Sequence, residues 1–434
     1  MEVKPGYKQT EVGVIPEEWD DPRLDSLGDG KTPPIKAGPF GSSLTKDQYV
    51  PEGYKIYGQE QVIAGDHLFG DYFITLKKYR ELETCAVRPG DVLLSLVGTV
   101  GRLLEVPEGA APGIINPRLI RFTFDRERVL PRFFTYVFES GSVQSLLARQ
   151  AQGGTMGVLN AGVLRPFRIS LPPLPEQRAI AEALSDVDGL LGGLDQLIAK
   201  KRDLKQAAMQ QLLTGKTRLS GFHGNWEVKR LGDVIHLIRG GIYGEEKPRA
   251  GLSASSVATT AHIEMDDTWN NKEMPVRYFT AEKLRDYATM EGDLIVVKSS
   301  GSAASIQSGK LGFIDSERAE KFVFSNFLML LRPTAILPRF LYFYLCSHNV
   351  KKLLPTLVEA STYPNIRLGD YLAIEIPVPL PDEQTAIAEV LTEIDTELAR
   401  LEQRREKTRA LKQGMMQELL TGRTRLVSAG AVHA

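Results

Sequence analysis

The chain repeats itself, and this repeat limits the folds that it can adopt. Residues 176–219 align without a gap with residues 383–426, an offset of 207 residues, and roughly 25 of the 44 positions are identical. The same offset aligns Trp19 with Trp226. A period of this length is too long for a solenoid and corresponds to a whole domain plus a connector. The sequence therefore predicts two homologous domains, which is also the expected number for 434 residues.

Each copy of the repeat ends in a segment that is typical of a long helix. Apolar residues recur at alternating three- and four-residue steps over 184–198 and 391–401, the pattern of a coiled-coil seam. The pattern then shifts, and we expect it to continue through Leu204 and Leu411. Prolines stand at or before the start of both segments. A helix of about 38 residues would be roughly 57 Å long. Two such helices with matching seams favour antiparallel packing with an internal pseudo-twofold axis.

The segments in front of the helices have a mixed α/β pattern. Short apolar runs near turn residues predict strands, and two runs that begin with proline and arginine predict one helix each. The strands fall at 91–98, 119–124, 293–298 and 327–333, and the helices at 131–150 and 338–354. The expected fold class is α/β or α+β: two tandem mixed domains separated by two long helices that pack as an antiparallel coiled coil.

The composition argues against several classes of protein. No run of about 18 uncharged apolar residues is present, and the N-terminus lacks the apolar stretch of a signal peptide. Cys85 and Cys346 lie far apart and suggest neither a disulfide framework nor a metal site. These features predict a cytoplasmic protein. The net charge of −1 is unusual for a domain that binds nucleic acid without a partner.

No catalytic centre is predicted from the sequence. The Gly-Lys-Thr of QQLLTGKTRL (210–219) lacks the first glycine of a phosphate-binding loop, follows a helical pattern, and has an arginine at the lysine position in its second copy. We interpret it as the end of a helix. The stretches TPPI (32–35) and SSGSAASIQSG (299–309) do not match a methyltransferase. The acids of LPEQ and PDEQ are better explained as first-turn residues that complement a helix dipole than as a nuclease pair.

The two copies differ most outside the shared frame. The stretch KAGPFGSSLTKDQYV (36–50) has no recognisable equivalent near 243–257. Homologous domains with different inserts indicate two similar tasks with different specificities.

Several segments resemble those of type I restriction–modification specificity subunits. They are LPEQRAIAEALSDVDGL and LKQAAMQQLLTGKTRL with their second copy, GYKQTEVGVIPEEWD near the N-terminus, and RPGDVLLSLVGTVGR. The resemblance extends from about Gly6 to Leu426. It implies target recognition domains at 1–175 and 217–382, spacer helices at 176–216 and 383–425, and a C-terminal tail at 426–434.

The resemblance also implies a function and partners. Each target recognition domain would read one half of a split double-stranded DNA sequence, and the helices would set the half-site distance and dock two methyltransferase subunits. Those subunits would bind S-adenosylmethionine, and two motor/nuclease subunits would use ATP with Mg, so this chain needs no cofactor and no metal. Half-sites one duplex turn apart, roughly 34 Å, suit a rod of this length. A near-neutral chain predicts weak DNA binding unless partners supply phosphate contacts.

Residues in Gly-rich and hydroxyl-rich loops with nearby cations suit close approach to phosphates and base edges. The DNA-binding candidates are Gly41, Ser42, Ser43, Lys46, Arg102 and Thr155 in the first half, and Arg239, Tyr243, Lys298, Ser299, Ser300, Thr362, Tyr363 and Arg367 in the second. On the helices, Leu190 and Leu197 are the candidates for binding a partner subunit. The helix cations Lys205 and Lys412 are expected to face solvent.

Two alternatives remain open at this stage. The first is a non-enzymatic scaffold whose two domains bind proteins, and the second is a methyltransferase or nuclease whose active site has no familiar motif. Site-selective DNA binding together with a methyltransferase subunit would distinguish the first, and binding of S-adenosylmethionine to the chain alone would favour the second.

Overall fold

The computed structural model describes residues 4–96, 99–141, 143–145, 159–302, 305–359 and 364–427. The chain divides into two compact units: the first comprises 1–193 and 404–434, and the second comprises 194–403. Two helices of 39 residues each, the first long helix (Leu174–Leu212) and the second long helix (Pro381–Leu419), are each divided between the two units. The two predicted long helices are confirmed.

Among the described residues, the first unit contains two four-stranded sheets, one two-stranded sheet and several short helices besides its parts of the long helices. Its strands are Tyr7–Thr10, Gly13–Pro16, Ile35–Ala37, Tyr54–Tyr57, Phe73–Ile74, Ala86–Val87, Val92–Ser95, Leu103–Glu105, Gly113–Ile115 and Leu119–Phe122. The short helices for which bounds are resolved are Gln59–Ala64, Leu76–Glu81, Pro131–Glu139 and Ala161–Leu164.

The second unit repeats this plan with additional short strands. Its strands are Glu227–Arg230, Ile235–Gly240, Leu252–Ala258, Val276–Thr280, Leu294–Val297, Gly301–Ser302, Ser305–Ile306, Leu311–Phe313, Phe322–Phe324, Leu328–Pro333, Val358–Glu359, Asn365–Ile366 and Glu375–Val378. Its short helices are Ala281–Asp286, Pro338–Cys346, His348–Leu357 and Leu368–Leu372.

One four-stranded antiparallel sheet, which we name the core sheet, has the same order in both units. In the first unit the order is Ile35–Ala37, Leu119–Phe122, Val92–Ser95, Leu103–Glu105. In the second it is Ile235–Gly240, Leu328–Pro333, Leu294–Val297, Leu311–Phe313. The buried apolar residues of these strands pack against the helix that starts at Pro131 or Pro338 and against the long helices. The duplication seen in the sequence is therefore a duplication of the fold.

The strands predicted from the apolar runs are confirmed, but the single helix predicted in front of each long helix is wrong. The helix Pro338–Cys346 is followed by Ser347 in extended conformation (ψ 153°), and a separate helix starts at His348. Pro131–Glu139 likewise ends at Ser140, which has a ψ of 145°. The apolar period continues across both serines, so it gave no sign of the break.

Within each unit the parts of the two long helices run antiparallel. In the first unit Lys412 Nζ lies 2.6 Å from Asp188 Oδ1, and in the second unit Lys205 Nζ lies 2.6 Å from Asp395 Oδ1. Met209 and Leu212 of the first long helix pack in one cluster with Ile387 and Leu391 of the second, so the residue numbers rise on one helix as they fall on the other. The predicted antiparallel pairing is confirmed in each unit.

The predicted positions of the helix side chains need two corrections. Lys205 and Lys412 form the interhelical ion pairs just described, so they do not simply face solvent. Leu204 and Leu411 are 51% and 59% exposed and do not belong to the seam. Each lysine that follows these leucines takes the position next to the partner helix, which turns the leucine outward.

A buried carboxylate at the start of the first long helix connects three parts of the first unit. Glu176 is 1% exposed and accepts a hydrogen bond of 2.9 Å from the indole Nε1 of Trp19. The Arg425 guanidinium donates to both carboxylate oxygens, at 2.5 and 2.8 Å. This hydrogen bonding raises the pKa of Arg425 above its usual value. We name this arrangement the Trp–Glu–Arg contact.

The same contact occurs in the second unit at positions shifted by 207 residues. Glu383 accepts hydrogen bonds from Trp226 Nε1 at 3.0 Å and from Arg218 Nη2 at 2.6 Å. In each unit the arginine lies in the TGKTRL or TGRTRL segment, just after Gly215 or Gly422 ends the long helix with a φ of 68°. The glutamates of LPEQ and PDEQ thus have a specific partner beyond the helix dipole.

The glutamine that follows each of these glutamates connects the long helix to the shorter helix that starts at Pro131 or Pro338. Gln177 Oε1 accepts from Leu130 N at 2.8 Å, and Gln384 Oε1 accepts from Leu337 N at 2.7 Å. Leu130 and Leu337 are the residues immediately before the helices that start at Pro131 and Pro338. The amide therefore satisfies a backbone N–H that the helix itself leaves without a partner.

We predict that Arg425→Ala destabilises the first unit, although residue 425 is far from that unit in sequence. Removing one member of a buried ion pair leaves the other charge unpaired and costs about 3 kcal/mol. Hydrogen–deuterium exchange should accelerate around residues 16–24 and 170–180. The control Arg423→Ala removes an exposed arginine whose Nη1 lies 3.7 Å from Glu418 Oε1, and it should leave exchange unchanged. Equal effects of both substitutions would contradict the assignment.

Candidate nucleic-acid interface

The first-unit candidates lie at one end of the core sheet. Gly41, Ser42 and Ser43 form a 3-10 turn after the strand Ile35–Ala37, and Lys46 starts a second such turn. Arg102 is exposed in the turn that joins Val92–Ser95 to Leu103–Glu105, and its backbone N–H donates to Ser95 Oγ at 3.1 Å. Strand pairing places both turns at the same end of the sheet, because Leu119 lies beside Ser95 and its carbonyl accepts from Gly38 N.

The second-unit candidates cluster in the equivalent place. Lys298, Ser299 and Ser300 directly follow the strand Leu294–Val297, and the Lys298 N–H donates to Phe327 O at 2.8 Å. The segment that contains Arg367 comes next to them, since Ile366 N donates to Lys298 O at 3.0 Å.

The candidate side chains of the second unit differ in whether they are free to contact a ligand. Tyr243 is 53% exposed. The Arg239 guanidinium carbon lies 5.2 Å from the ring centroid of Tyr287, whereas Arg367 pairs with Asp370 at 3.1 Å. Tyr243 therefore presents a ring to solvent, while the two arginines already have partners within the unit.

The remaining predicted residues are three DNA-binding candidates and the two candidates for binding a partner subunit. Thr155, Thr362 and Tyr363 lie outside the residues that the structure describes. Leu190 and Leu197 are 44% and 42% exposed on the first long helix, as a docking residue requires.

The sequence comparison overlooked a pair of equivalent loops. The GPFG loop (38–41) follows the first strand of the core sheet in the first unit, and the GIYG loop (241–244) follows it in the second. Gly38 N donates to Leu119 O and Gly241 N donates to Leu328 O, both at 3.0 Å. Leu119 and Leu328 each begin the adjacent strand. The GPFG part of the stretch 36–50 thus has a structural equivalent, shifted by 203 residues instead of 207, so an ungapped comparison missed it.

Both loops begin with a glycine because the chain passes very close to a neighbouring turn. A Cβ on Gly38 would lie 1.9 Å from Asn116 O, and one on Gly241 would lie 2.2 Å from Ser325 O. These two carbonyls belong to equivalent turns, closed by Leu119 N to Asn116 O at 3.2 Å and by Leu328 N to Ser325 O at 2.9 Å. Backbone contacts therefore fix both loops on their sheets.

Each loop displays one aromatic side chain. Phe40 is 87% exposed, although its neighbour Pro39 and the following Leu44 are buried. At the corresponding place in the GIYG loop, Tyr243 accepts a hydrogen bond from Arg277 Nη2 at 2.9 Å, and the Arg277 guanidinium carbon lies 5.0 Å from the ring centroid. Sequence reasoning selected Tyr243 but missed Phe40; the shared Gly-x-aromatic-Gly pattern was the signal that could have found it.

A cavity of about 450 Å³ in the second unit is lined by Lys310, Lys351, Asp267 and other residues. Burial lowers the pKa of Lys310 and raises the pKa of Asp267. The charged groups are paired within the unit, since Lys351 Nζ lies 2.6 Å from Asp267 Oδ1 and Lys310 Nζ donates to Thr260 O at 2.9 Å. The cavity is therefore part of the packing of this unit.

In the described part of the chain, no three or more His, Cys, Asp or Glu side chains are grouped so that they could hold a metal ion. None of the described helices combines the length and the apolar composition that crossing a membrane requires.

We predict that Gly38→Ala lowers the free energy of unfolding of the first unit by about 1–3 kcal/mol, because the new methyl group overlaps a backbone carbonyl that cannot move independently. Gly41→Ala is the matched control, since a Cβ there meets nothing within 4 Å. Urea denaturation followed by circular dichroism measures both. A Gly38→Ala protein as stable as Gly41→Ala would contradict the anchored geometry of the GPFG loop.

Comparison with known families gives a match over most of the chain. The family model described as "Type I restriction modification DNA specificity domain" matches residues 16–200 and again 223–409. The two matches begin 207 residues apart, in agreement with the duplication.

Curated relatives and solved structures carry related names. The chain is 27% identical over 311 residues to the type I restriction enzyme MjaVIII specificity subunit of Methanocaldococcus jannaschii, covering 67% of this chain and 70% of the relative. It is 24% identical to the putative MjaX specificity subunit of the same organism, covering 97% of both. The structure of a type I restriction–modification S subunit from M. genitalium aligns with a TM-score of 0.54 at 17% identity, covering 96% of this chain and 98% of that one.

Proposed function

Because the chain belongs to the type I restriction–modification DNA specificity family, we propose that each of its two units reads one half of a bipartite DNA target. A specificity subunit recognises a DNA sequence and is non-catalytic by itself. The duplicated core sheet, with different loops at the same end of each copy, supports one reading task per unit. We assign DNA reading to 1–175 and 217–382, the spacer role to 176–216 and 383–425, and no role to the tail at 426–434.

The DNA contacts are proposed at the end of each core sheet. In the first unit they would come from Gly41, Ser42, Ser43, Lys46, Arg102 and Thr155, and in the second from Arg239, Tyr243, Lys298, Ser299, Ser300, Thr362, Tyr363 and Arg367. Glycine allows close backbone approach to DNA, and hydroxyl and cationic groups suit phosphate and base-edge hydrogen bonds. The register of the strands supports this grouping for the members that the structure describes.

The long helices are proposed to set the distance between half-sites. Each spans 39 residues, about 58 Å at 1.5 Å per residue, which is long enough to separate readers of half-sites one duplex turn apart. Direct ion pairs between the helices, including Lys201 with Glu397 and Arg202 with Glu402, oppose sliding of one helix along the other.

The partners are double-stranded DNA, two methyltransferase subunits and two motor/nuclease subunits. The methyltransferase subunits would bind S-adenosylmethionine and the motor/nuclease subunits would use ATP with Mg, in the cytoplasm. Leu197 and Leu204 lie seven residues apart on the second unit's part of the first long helix and are both exposed, so they share one face. Such an exposed apolar stripe beside a paired seam supports docking of a methyltransferase subunit there. Leu190 is exposed on the first unit's part of the same helix and is a separate docking candidate.

We predict that lengthening both long helices together increases the gap between the half-sites. Seven residues inserted after Lys200 and seven after Arg400, where Lys201 and Arg202 face the second long helix, add about 10 Å and two helical turns. The recognised gap should grow by about three base pairs at 3.4 Å each, with both half-sites unchanged. Mapping of methylated adenines in DNA exposed to the assembled complex measures the gap.

A control insertion of four residues after Lys200 alone disrupts the register of the helix pair and should abolish assembly or alter the gap irregularly. A lengthened protein that methylates the original split target would contradict the spacer role. A complex that methylates no split target at all would contradict the proposed function itself.

We also predict that Leu197→Asp weakens assembly with the methyltransferase subunits at least tenfold, because it places a charge in an apolar interface. Leu353→Asp changes a leucine of similar exposure on a short helix of the second unit and should leave assembly unchanged. Both are compared by sedimentation of the mixed subunits. If the Leu197→Asp protein bound the methyltransferase subunits with unchanged affinity, the exposed leucines would not be the docking face.

A further inference from the structure

The GPFG and GIYG loops preserve one feature while the sequences around them have diverged. Both place an aromatic residue at the third position, and both hold the preceding glycine against an equivalent turn of the core sheet. The turns themselves are held alike: Asn116 N donates to Tyr57 O at 2.8 Å, and Ser325 N donates to Ala258 O at 2.9 Å. The shared backbone frame therefore presents an exposed ring at the same place in both units.

The outward position of Phe40 is built into the loop. Gly38 is anchored on one side, and on the other Ser43 N donates to Phe40 O at 2.8 Å before Leu44 enters the core of the unit. Leaving the phenyl ring in water forgoes the stabilisation that burial would provide. Folding of the first unit does not explain this cost, and a ring that becomes buried on binding does.

Tyr243 is held by a cation. Arg277 donates to the phenol oxygen and lies beside the ring, and its Nη2 is also 3.5 Å from Glu246 Oε1. The ring is therefore oriented before any ligand binds, and a positive charge accompanies it. A flat ring next to a guanidinium suits a ligand that offers both a stacking surface and a negative charge, as a nucleic acid does.

We propose that Phe40 and Tyr243 are wedges that enter the DNA duplex between adjacent base pairs, one in each half-site, and unstack them. This inference rests on the proposed function. A phenyl ring has no hydrogen-bond donor or acceptor, so Phe40 cannot read a base edge by hydrogen bonding. Apolar side chains that insert between base steps unstack them and kink the duplex by about 20–90°. Unstacking also lowers the cost of extruding a neighbouring base, which methylation of a base within a duplex requires.

The test uses the complex of this chain with its methyltransferase subunits and the split duplex that it methylates. 2-Aminopurine, whose fluorescence rises when it is unstacked, replaces one base at a time along both half-sites. Binding should produce a rise at one base step in each half-site. Phe40→Ala should remove the rise in one half-site only and weaken binding about tenfold or more, and Tyr243→Ala should do the same in the other half-site.

Four control variants separate a wedge from a general loss of structure. Phe40→Leu keeps an apolar wedge and Tyr243→Phe keeps the ring, so both should retain the fluorescence rise. Val12→Ala and Val228→Ala alter exposed apolar side chains on other elements of the two units and should change neither fluorescence nor binding.

Two outcomes would overturn the wedge while leaving the proposed function intact. One is a wild-type complex that methylates its split target without any fluorescence rise. The other is a Phe40→Ala complex that keeps the rise, or that loses only its methyltransferase subunits, which would place the ring at a protein interface. A wild-type complex that methylates no split target would instead contradict the proposed function.

Discussion

The structure depends on one buried carboxylate per repeat. Glu176 and Glu383 each stand at the start of a long helix, and each accepts hydrogen bonds from a tryptophan near the start of its domain and from an arginine that follows a long helix. A charge buried to this degree is tolerated only because the arginine compensates it. Arg425, which follows the second long helix, pairs with Glu176 in the first unit, and Arg218, which follows the first long helix, pairs with Glu383 in the second. The segment after each long helix therefore contributes to the stability of one unit.

This contact explains why one part of the repeat has changed so little and another so much. The tryptophan, the Glu-Gln pair and the Thr-Arg-Leu segment act as a set, so a change in one member leaves a charge or a backbone N–H unsatisfied. The GPFG and GIYG loops are held on the core sheet by backbone contacts instead, so their side chains can change while the backbone keeps its position. In that region GPFG and GIYG keep their glycines and the outward aromatic ring. A constant frame with variable loops is what a protein needs to read two different half-sites.

The sequence predicted the features that follow from regular periodicity. The duplication was accessible from residue identity between the two copies. Both long helices, their antiparallel pairing and the strands at 92–95, 119–122, 294–297 and 328–333 were accessible because buried apolar patterns determine them. The break at Ser347 and the exposure of Leu204 were not, since they depend on local capping and on which helix face meets its partner. The equivalence of Phe40 and Tyr243 was hidden by a four-residue shift in offset, and only backbone hydrogen bonds of the folded chain show it.

If the two units are equivalent readers on one repeated frame, one unit can replace the other. Residues 223–380 are therefore replaced with a second copy of residues 16–173, which keeps a tryptophan at the position that contacts Glu383. Methylated adenines are then mapped in DNA exposed to the assembled complex. The methylated target should then carry the half-site of the first unit in both of its parts, with the original gap. A second half-site that remains that of the unaltered protein would contradict this equivalence.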